Sequence, residues 1–176
     1  MSIYDDLLTN NLFFVTQHTV GNEAVLGNQI MMRLMRAALD WGKARTPFEL
    51  IGYVFLPDLI HLLVKPMGTA SLDHIMQNVR THFHDEYHEL LNMPGETLLW
   101  QRDHAARRIT DVDLLAAHLD FIHYQPVQRG FVDQPEAWPY GSFALWQERG
   151  IYPAQWGWTL PATLNEYGEP GRRKRS

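Results

Sequence analysis

"YVFLPDLIHLLVKP", residues 53–66, reads as a strand, a tight turn and a second strand. Two apolar runs flank Pro57-Asp58, and apolar runs joined by a connection this short signal a β-hairpin. The first run extends back through "FELIGYVFL" (48–56), and the second is "IHLLVK" (60–65). One polar ring, His61, sits in the second run. A lone histidine among apolar residues is either a packed core residue or part of a metal site, and the rest of the chain has to decide.

Working outward, "LFFVTQHTV" (12–20) predicts a strand from its aromatic and β-branched residues. "NQIMMRLMRAALDWGKA" (28–44) carries its apolar residues at helical spacing. "SLDHIMQNVRTHFHDEYHELL" (71–91) predicts a second helix, with Ser71 as its N-cap. "TLLWQ" and "ARRIT" form a candidate hairpin around "RDHA". "DVDLLAAHLDFIHY" (111–124) predicts a third helix that stops before Pro126. The order β-α-β-β-α-β-α predicts an α+β fold, a ferredoxin-like antiparallel sheet with helices packed on one face. Residues 1–160 read as one domain and 161–176 as a disordered tail with a basic end.

The chain has 176 residues and 45% hydrophobic residues, enough for a full-sized core. It has no cysteine, which excludes thiol chemistry and Cys-built zinc sites and fits a cytoplasmic location. The N-terminus has no signal-peptide pattern, and no run reaches the roughly 18 apolar residues of a membrane span. Four of the 15 basic residues fall in the last six positions, leaving 11 basic against 20 acidic residues in the preceding 170, a net −9. Such a body suits non-specific DNA binding poorly, because that binding runs on phosphate neutralisation. The His-rich "HFHDEYH" (82–88) reads as a solvated helix face: His84 and His88 share a face, but Asp85 stands where the zinc-protease motif needs Glu.

Three segments together resemble the REP-associated tyrosine transposases, a family of single-tyrosine HUH transposases. They are "GYVFLPDLIHLLVKP", "LDFIHYQPVQRGFVDQPEAWPYGSF" and "ERGIYPAQWG". The resemblance covers roughly residues 10–160. It implies metal-assisted transesterification on single-stranded or hairpin DNA, with Mg or Mn in the family. Two histidines alternating on a strand would hold the metal, a helix tyrosine would attack the phosphate, and a polar side chain one turn later would complete the ligand shell.

Carried over by position, the resemblance makes His61 the second histidine of the pair and puts Leu59 where the first belongs. Phe121 stands at the nucleophile position, and Gln125 at the third ligand. Leucine cannot ligate, and phenylalanine lacks the attacking oxygen. The expectation is therefore a degenerate site with no bound cofactor, in a protein that retains at most binding to structured single-stranded DNA. Asp58, at the turn, is expected to point away from His61. Tyr124 is an alternative nucleophile, about 300° round the helix from Phe121. An active enzyme using His61, Gln125 and Tyr124 is one competing reading, and a repurposed protein-interaction module is another. Lys65, Arg107, Arg108 and Arg129 are the candidate DNA contacts. No membrane partner is expected, and the oligomeric state is left open.

Overall fold

A computed structural model describes residues 2–8 and 11–167. The elements are α1 (Ile3–Leu7), β1 (Phe13–His18), α2 (Gln29–Arg45), β2 (Phe48–Leu56), β3 (Leu59–Pro66), α3 (Leu72–Leu91), β4 (Ala105–Arg108), α4 (Val112–Gln128), α5 (Phe143–Glu148) and α6 (Ala162–Tyr167). The three long helices start on side-chain caps. Asn28, Ser71 and Asp111 each accept from the backbone N–H three residues on, at 3.0, 3.2 and 2.8 Å.

The strands form one antiparallel sheet in the order β2-β3-β1-β4. β2 and β3 are the hairpin read from residues 53–66, while α2 and α3 carry the chain across to β2 and β4. Two split β-α-β units thus interleave, and the α+β class holds. β3 lies between β1 and β2 and is buried along almost its whole length. Its side chains alternate: Ile60, Leu62 and Val64 enter the core under α2 and α3, whereas Leu59 and Leu63 enter a second core under α4 and α5.

β2 contains an extra residue. Leu50 pairs with Val64 and Gly52 with Leu63, so Ile51 is bulged out of register. The bulge reverses which side chains face which core. Phe48 and Leu50 precede it, and Tyr53 and Phe55 follow it, all on the α2/α3 side. The Ile51 carbonyl accepts from Trp146 Nε1 at 2.9 Å. The outer edge of β2 is covered by the segment after α4. Phe55 N donates to Tyr140 O, Ser142 N to Tyr53 O, and Trp138 Nε1 to Phe55 O, at 2.8–3.0 Å. An edge strand that would otherwise offer free backbone groups is thereby closed.

Four expectations need correction. Helices 28–44 and 71–91 share one face as expected, but the third helix packs on the opposite face, because Leu115, Leu119 and Ile122 have their own apolar surface to cover there. "TLLWQ" and "ARRIT" do not pair with each other. Trp100 bridges to Thr19 and β4 pairs with Phe13–Thr16, so both runs lie along the free edge of β1 as one broken strand. α4 continues through Pro126 to Gln128, since a proline in the last turn removes only one ladder bond and its φ suits a helix. The tail does not begin at 161. α6 packs on α4, and Thr163 Oγ1 donates to Asp120 Oδ2 at 2.6 Å. The basic run 171–176 lies outside the described residues.

Gly52 sets how closely α4 approaches the sheet, because a Cβ there would sit 2.8 Å from Leu119 Cδ2. Gly52→Val should cost about 1–3 kcal/mol in urea unfolding. Gly95→Ala, with nothing within 4 Å of its added Cβ, should stay within about 0.5 kcal/mol. Equal losses at the two positions would contradict the close approach.

Candidate functional site

Register places His61 in the sheet interior, opposite Thr16 on β1 and Val54 on β2. Its face is that of Leu59 and Leu63, so the ring points toward α4. His61 Nδ1 and Thr16 Oγ1 share a hydrogen bond of 2.8 Å. Phe14 stacks on the ring at 5.4 Å between centroids. Phe121 meets it edge-on at 5.2 Å. Burial pushes the His61 pKa down to about 3, and a side-chain hydrogen bond with Gln125 opposes the shift without reversing it. The ring is therefore neutral at neutral pH. Leu59 is buried beside it, in the same apolar cluster as Phe121.

His61, Leu59, Phe121 and Gln125 therefore converge. Gln125 also donates from Nε2 to Gln128 Oε1 at 3.1 Å, which leaves its carbonyl oxygen for other partners. Tyr124 is not part of this cluster. Its ring lies on the side of α4 next to Gly157, where an added Cβ would be 3.6 Å from Tyr124 Cδ2. His123 is committed elsewhere too. Its Nδ1 bonds with Tyr152 Oη at 2.7 Å and its Nε2 with Ser142 Oγ at 2.8 Å, fastening α4 to the segment that closes β2. Asp58 is held at the turn by Arg129, which donates to both carboxylate oxygens at 2.7 and 3.0 Å. Burial acts to raise the Asp58 pKa, but the Arg129 bonds and charge outweigh it and leave the group below its usual value. Among the described residues, no three His, Asp or Glu side chains converge tightly enough to hold one metal ion.

The candidate DNA contacts separate into two kinds. Arg129 is occupied by Asp58, and Lys65 lies 3.4 Å from Glu49. Arg107 and Arg108 sit on exposed β4, with Arg108 over the Phe13 ring at 5.3 Å. The His-rich run of α3 is less solvated than expected. His82 stacks on Trp41 at 4.2 Å, and His88 is buried with Nδ1 donating to the His84 carbonyl at 2.7 Å.

Beside His61 lies a cavity of about 400 Å³, walled by Phe14, Thr16, His18, His118 and residues 105–107 of β4. Sequence reasoning missed His18 and Thr16. The signal was present in the alternation Phe14, Thr16, His18, which puts all three on one strand face. It becomes legible only once β1 is known to pair with β3, so that His18 stands opposite Leu59.

His61 on the sheet thus faces α4 at the positions that the motifs match. No family model matches the chain. A Haemophilus influenzae protein assigned to the REP-associated tyrosine transposases is 34% identical over 119 residues, covering 63% of this chain and 68% of that protein. The REP-associated tyrosine transposase of Escherichia coli K12 is 28% identical over 128 residues, covering 70% and 72%. The chain belongs to the REP-associated tyrosine transposase family. A solved REP-associated tyrosine transposase bound to a REP hairpin has the same fold, with a TM-score of 0.74 and 21% identity over 94% of each chain. No helix among the described residues is long and apolar enough to cross a membrane.

His61 and His123 both have pKa values of about 3 in the fold, against an ordinary 6.5, because burial disfavours the charged ring. Below 6.5 the unfolded chain takes up protons that the folded chain refuses. This contribution is complete above about pH 6.5 and is lost as pH falls toward 3, at up to about 1.4 kcal/mol per pH unit for each ring. In urea titrations between pH 6.5 and 5, His61→Leu should lose stability less steeply with falling pH than the parent. Parallel slopes would show that His61 is not buried as a neutral ring.

Proposed function

We propose that this family member binds structured single-stranded DNA and does not cleave it. The observation that carries the reading is the pair of apolar side chains at the reacting positions. Leu59 stands beside His61 and Phe121 faces it at 5.2 Å. The motifs put a metal ligand and an attacking hydroxyl at these places. Metal chemistry is general in the family, but the donor set here does not fit a divalent ion. At the matched positions the His61 imidazole and the Gln125 amide supply no charge, and Mg²⁺ prefers six oxygens with carboxylate among them. Tyr124, the candidate substitute, has its ring beside Gly157 and is offset from Phe121 by about 60° round α4. An attacking group held off its proper direction already costs much rate.

The binding half of the reading rests on the retained scaffold and on the exposed arginines of β4. The solved relative of the same fold holds a REP hairpin, and a DNA hairpin is the ligand proposed here. The folded body from α1 to α6 acts as one domain in this reading. Among the described residues, nothing favours a protein-interaction module over it.

The test is a hairpin oligonucleotide with unpaired flanks, incubated with Mg²⁺ or Mn²⁺ and assayed for binding and for covalent adduct. The parent should bind with a salt-dependent affinity and form no adduct. Leu59→His with Phe121→Tyr should restore adduct formation. Adduct from the parent that disappears in Tyr124→Phe would establish the rearranged active site instead.

A further inference from the structure

At the C-terminal end of α3, large apolar side chains stand in water. Leu90 is 56% exposed, Leu91 43% and Met93 41%. Asn92 caps the helix in the left-handed conformation, and Met93 N donates to the His88 carbonyl at 3.0 Å, so the chain turns back across the helix end. Leu98, 73% exposed, follows the Thr97 carbonyl that accepts from His84 Nε2 at 3.2 Å, which lays it along the same helix. α2 adds Ile30, 62% exposed. The two helices run antiparallel, with Trp41 stacked on His82 and Thr46 Oγ1 accepting from Asn78 Nδ2. Counting back from Trp41 and forward from His82, at about 1.5 Å per residue, brings Ile30 level with the end of α3. Single exposed apolar side chains are ordinary, but a group of them around one helix end marks an interaction surface.

The charges at this end restrict what covers it. A helix C-terminus carries partial negative charge and is stabilised by cations. α2 follows that rule, with Lys43 and Arg45 in its last turn. α3 has no Lys or Arg in its last turn, and Glu86 and Glu89 stand close to its end. Asp85 and Glu96 flank them, and the sequence has no Lys or Arg between Arg80 and Arg102. Among the described residues, Glu86, Glu89 and Glu96 have no ion-pair partner. α2 brings one cation to this end, Arg33, one turn beyond Ile30. Acids at a negative helix end and apolar groups in water both cost stability, so stability does not account for the arrangement. The same acids repel nucleic acid and anionic lipid. A second copy docked by the same face would set each acid near its own counterpart. α2 and α3 offer no free strand edge, so a docking segment has to satisfy its own backbone bonds, as a helix does.

We propose that the end of α3 docks an amphipathic helix of a partner protein, one whose apolar stripe is flanked by Lys or Arg. The stripe covers Leu90, Leu91 and Met93, and the flanking cations meet Glu86, Glu89 and Glu96. Met93 suits this role, because its unbranched thioether side chain adapts to an incoming surface. The surface lies on the α2/α3 side of the sheet, whereas His61 faces α4. The proposal is therefore independent of the DNA-binding reading, and both ligands can be held at once.

The probe is a synthetic peptide of about 15 residues, long enough to hold a helix, with Leu at helical spacing and Lys elsewhere. The same peptide with Glu in place of Lys is the control. Binding to the full chain is measured by fluorescence anisotropy, and the methyl resonances of Leu90, Leu91 and Met93 are followed. The Lys peptide should bind and move these methyls, and the Glu peptide should do neither. Leu90→Gln with Leu91→Gln should weaken binding about tenfold. Glu86→Gln with Glu89→Gln should weaken it about three- to fivefold and flatten its salt dependence. The same charge removed elsewhere, by Asp133→Asn with Glu148→Gln, should change it less than about twofold. Equal losses in the two charge variants would show attraction to net charge alone and overturn the docking surface. Failure of the Lys peptide to bind, or binding that leaves the three methyls in place, overturns it too. Two other occupants would show themselves without peptide. Methyls that move with protein concentration would mean that a second copy covers the face. Methyls that move when Arg172, Arg173, Lys174 and Arg175 are replaced by glutamine would mean that the chain's own end covers it. Either result overturns the proposal.

Discussion

The architecture depends on β3 being buried on both faces. A central strand with helices above and below has no tolerance for a one-residue slip, because a slip would exchange every side chain between the two cores. Ile60, Leu62 and Val64 commit one face, and Leu59 and Leu63 commit the other. His61 is carried along by that commitment and has to point at α4. From there its environment follows: Thr16 opposite it on β1, Phe14 stacked on it, and Phe121 and Gln125 above it. The bulge at Ile51 and the closing segment at 138–142 keep β2 in place beside it.

Two positions then differ from the residues that the motifs imply. A histidine position holds Leu59 and a tyrosine position holds Phe121, and both side chains are well buried. Each replacement is apolar and each joins the second core. Removing a metal ligand and a hydroxyl from a buried site would leave polar groups short of partners, which is costly. Filling the same space with leucine and phenylalanine avoids that cost. His61 and Gln125 are the buried polar groups of the cluster, and the His61 ring bonds with Thr16 and with Gln125. His61 is thus a packed, neutral histidine at a position that the family motif assigns to a ligand.

Much of this was legible in the residues. The strand pair 48–56 and 60–65 and the helices 28–44 and 71–91 on one face followed from alternation and capping, and the convergence of His61, Phe121 and Gln125 from the family resemblance. What stayed hidden has physical reasons. The Ile51 bulge leaves no mark in an apolar run, because either register keeps the pattern apolar. Pro126 looked like a helix stop, yet proline in a last turn removes only one hydrogen bond. The engagement of Arg129 by Asp58 spans 71 positions and depends on how the turn meets the end of α4. His18 and His118 come together only through strand pairing and helix placement, neither of which a local pattern encodes. The second core under α4 was missed because the third helix is apolar on several sides, so periodicity could not say which face it would cover.

Whether His61 has lost its place in a metal site is read most directly by titrating Mn²⁺ into the protein bound to a flanked hairpin. Paramagnetic broadening is followed at each histidine ring. The loss of the partner ligand predicts that the His61 ring signals stay sharp, broadened no more than those of the buried and fully bonded His123. Selective broadening at His61, at Mn²⁺ concentrations that leave His123 untouched, would show an ion held beside Leu59 and would contradict the loss of the site.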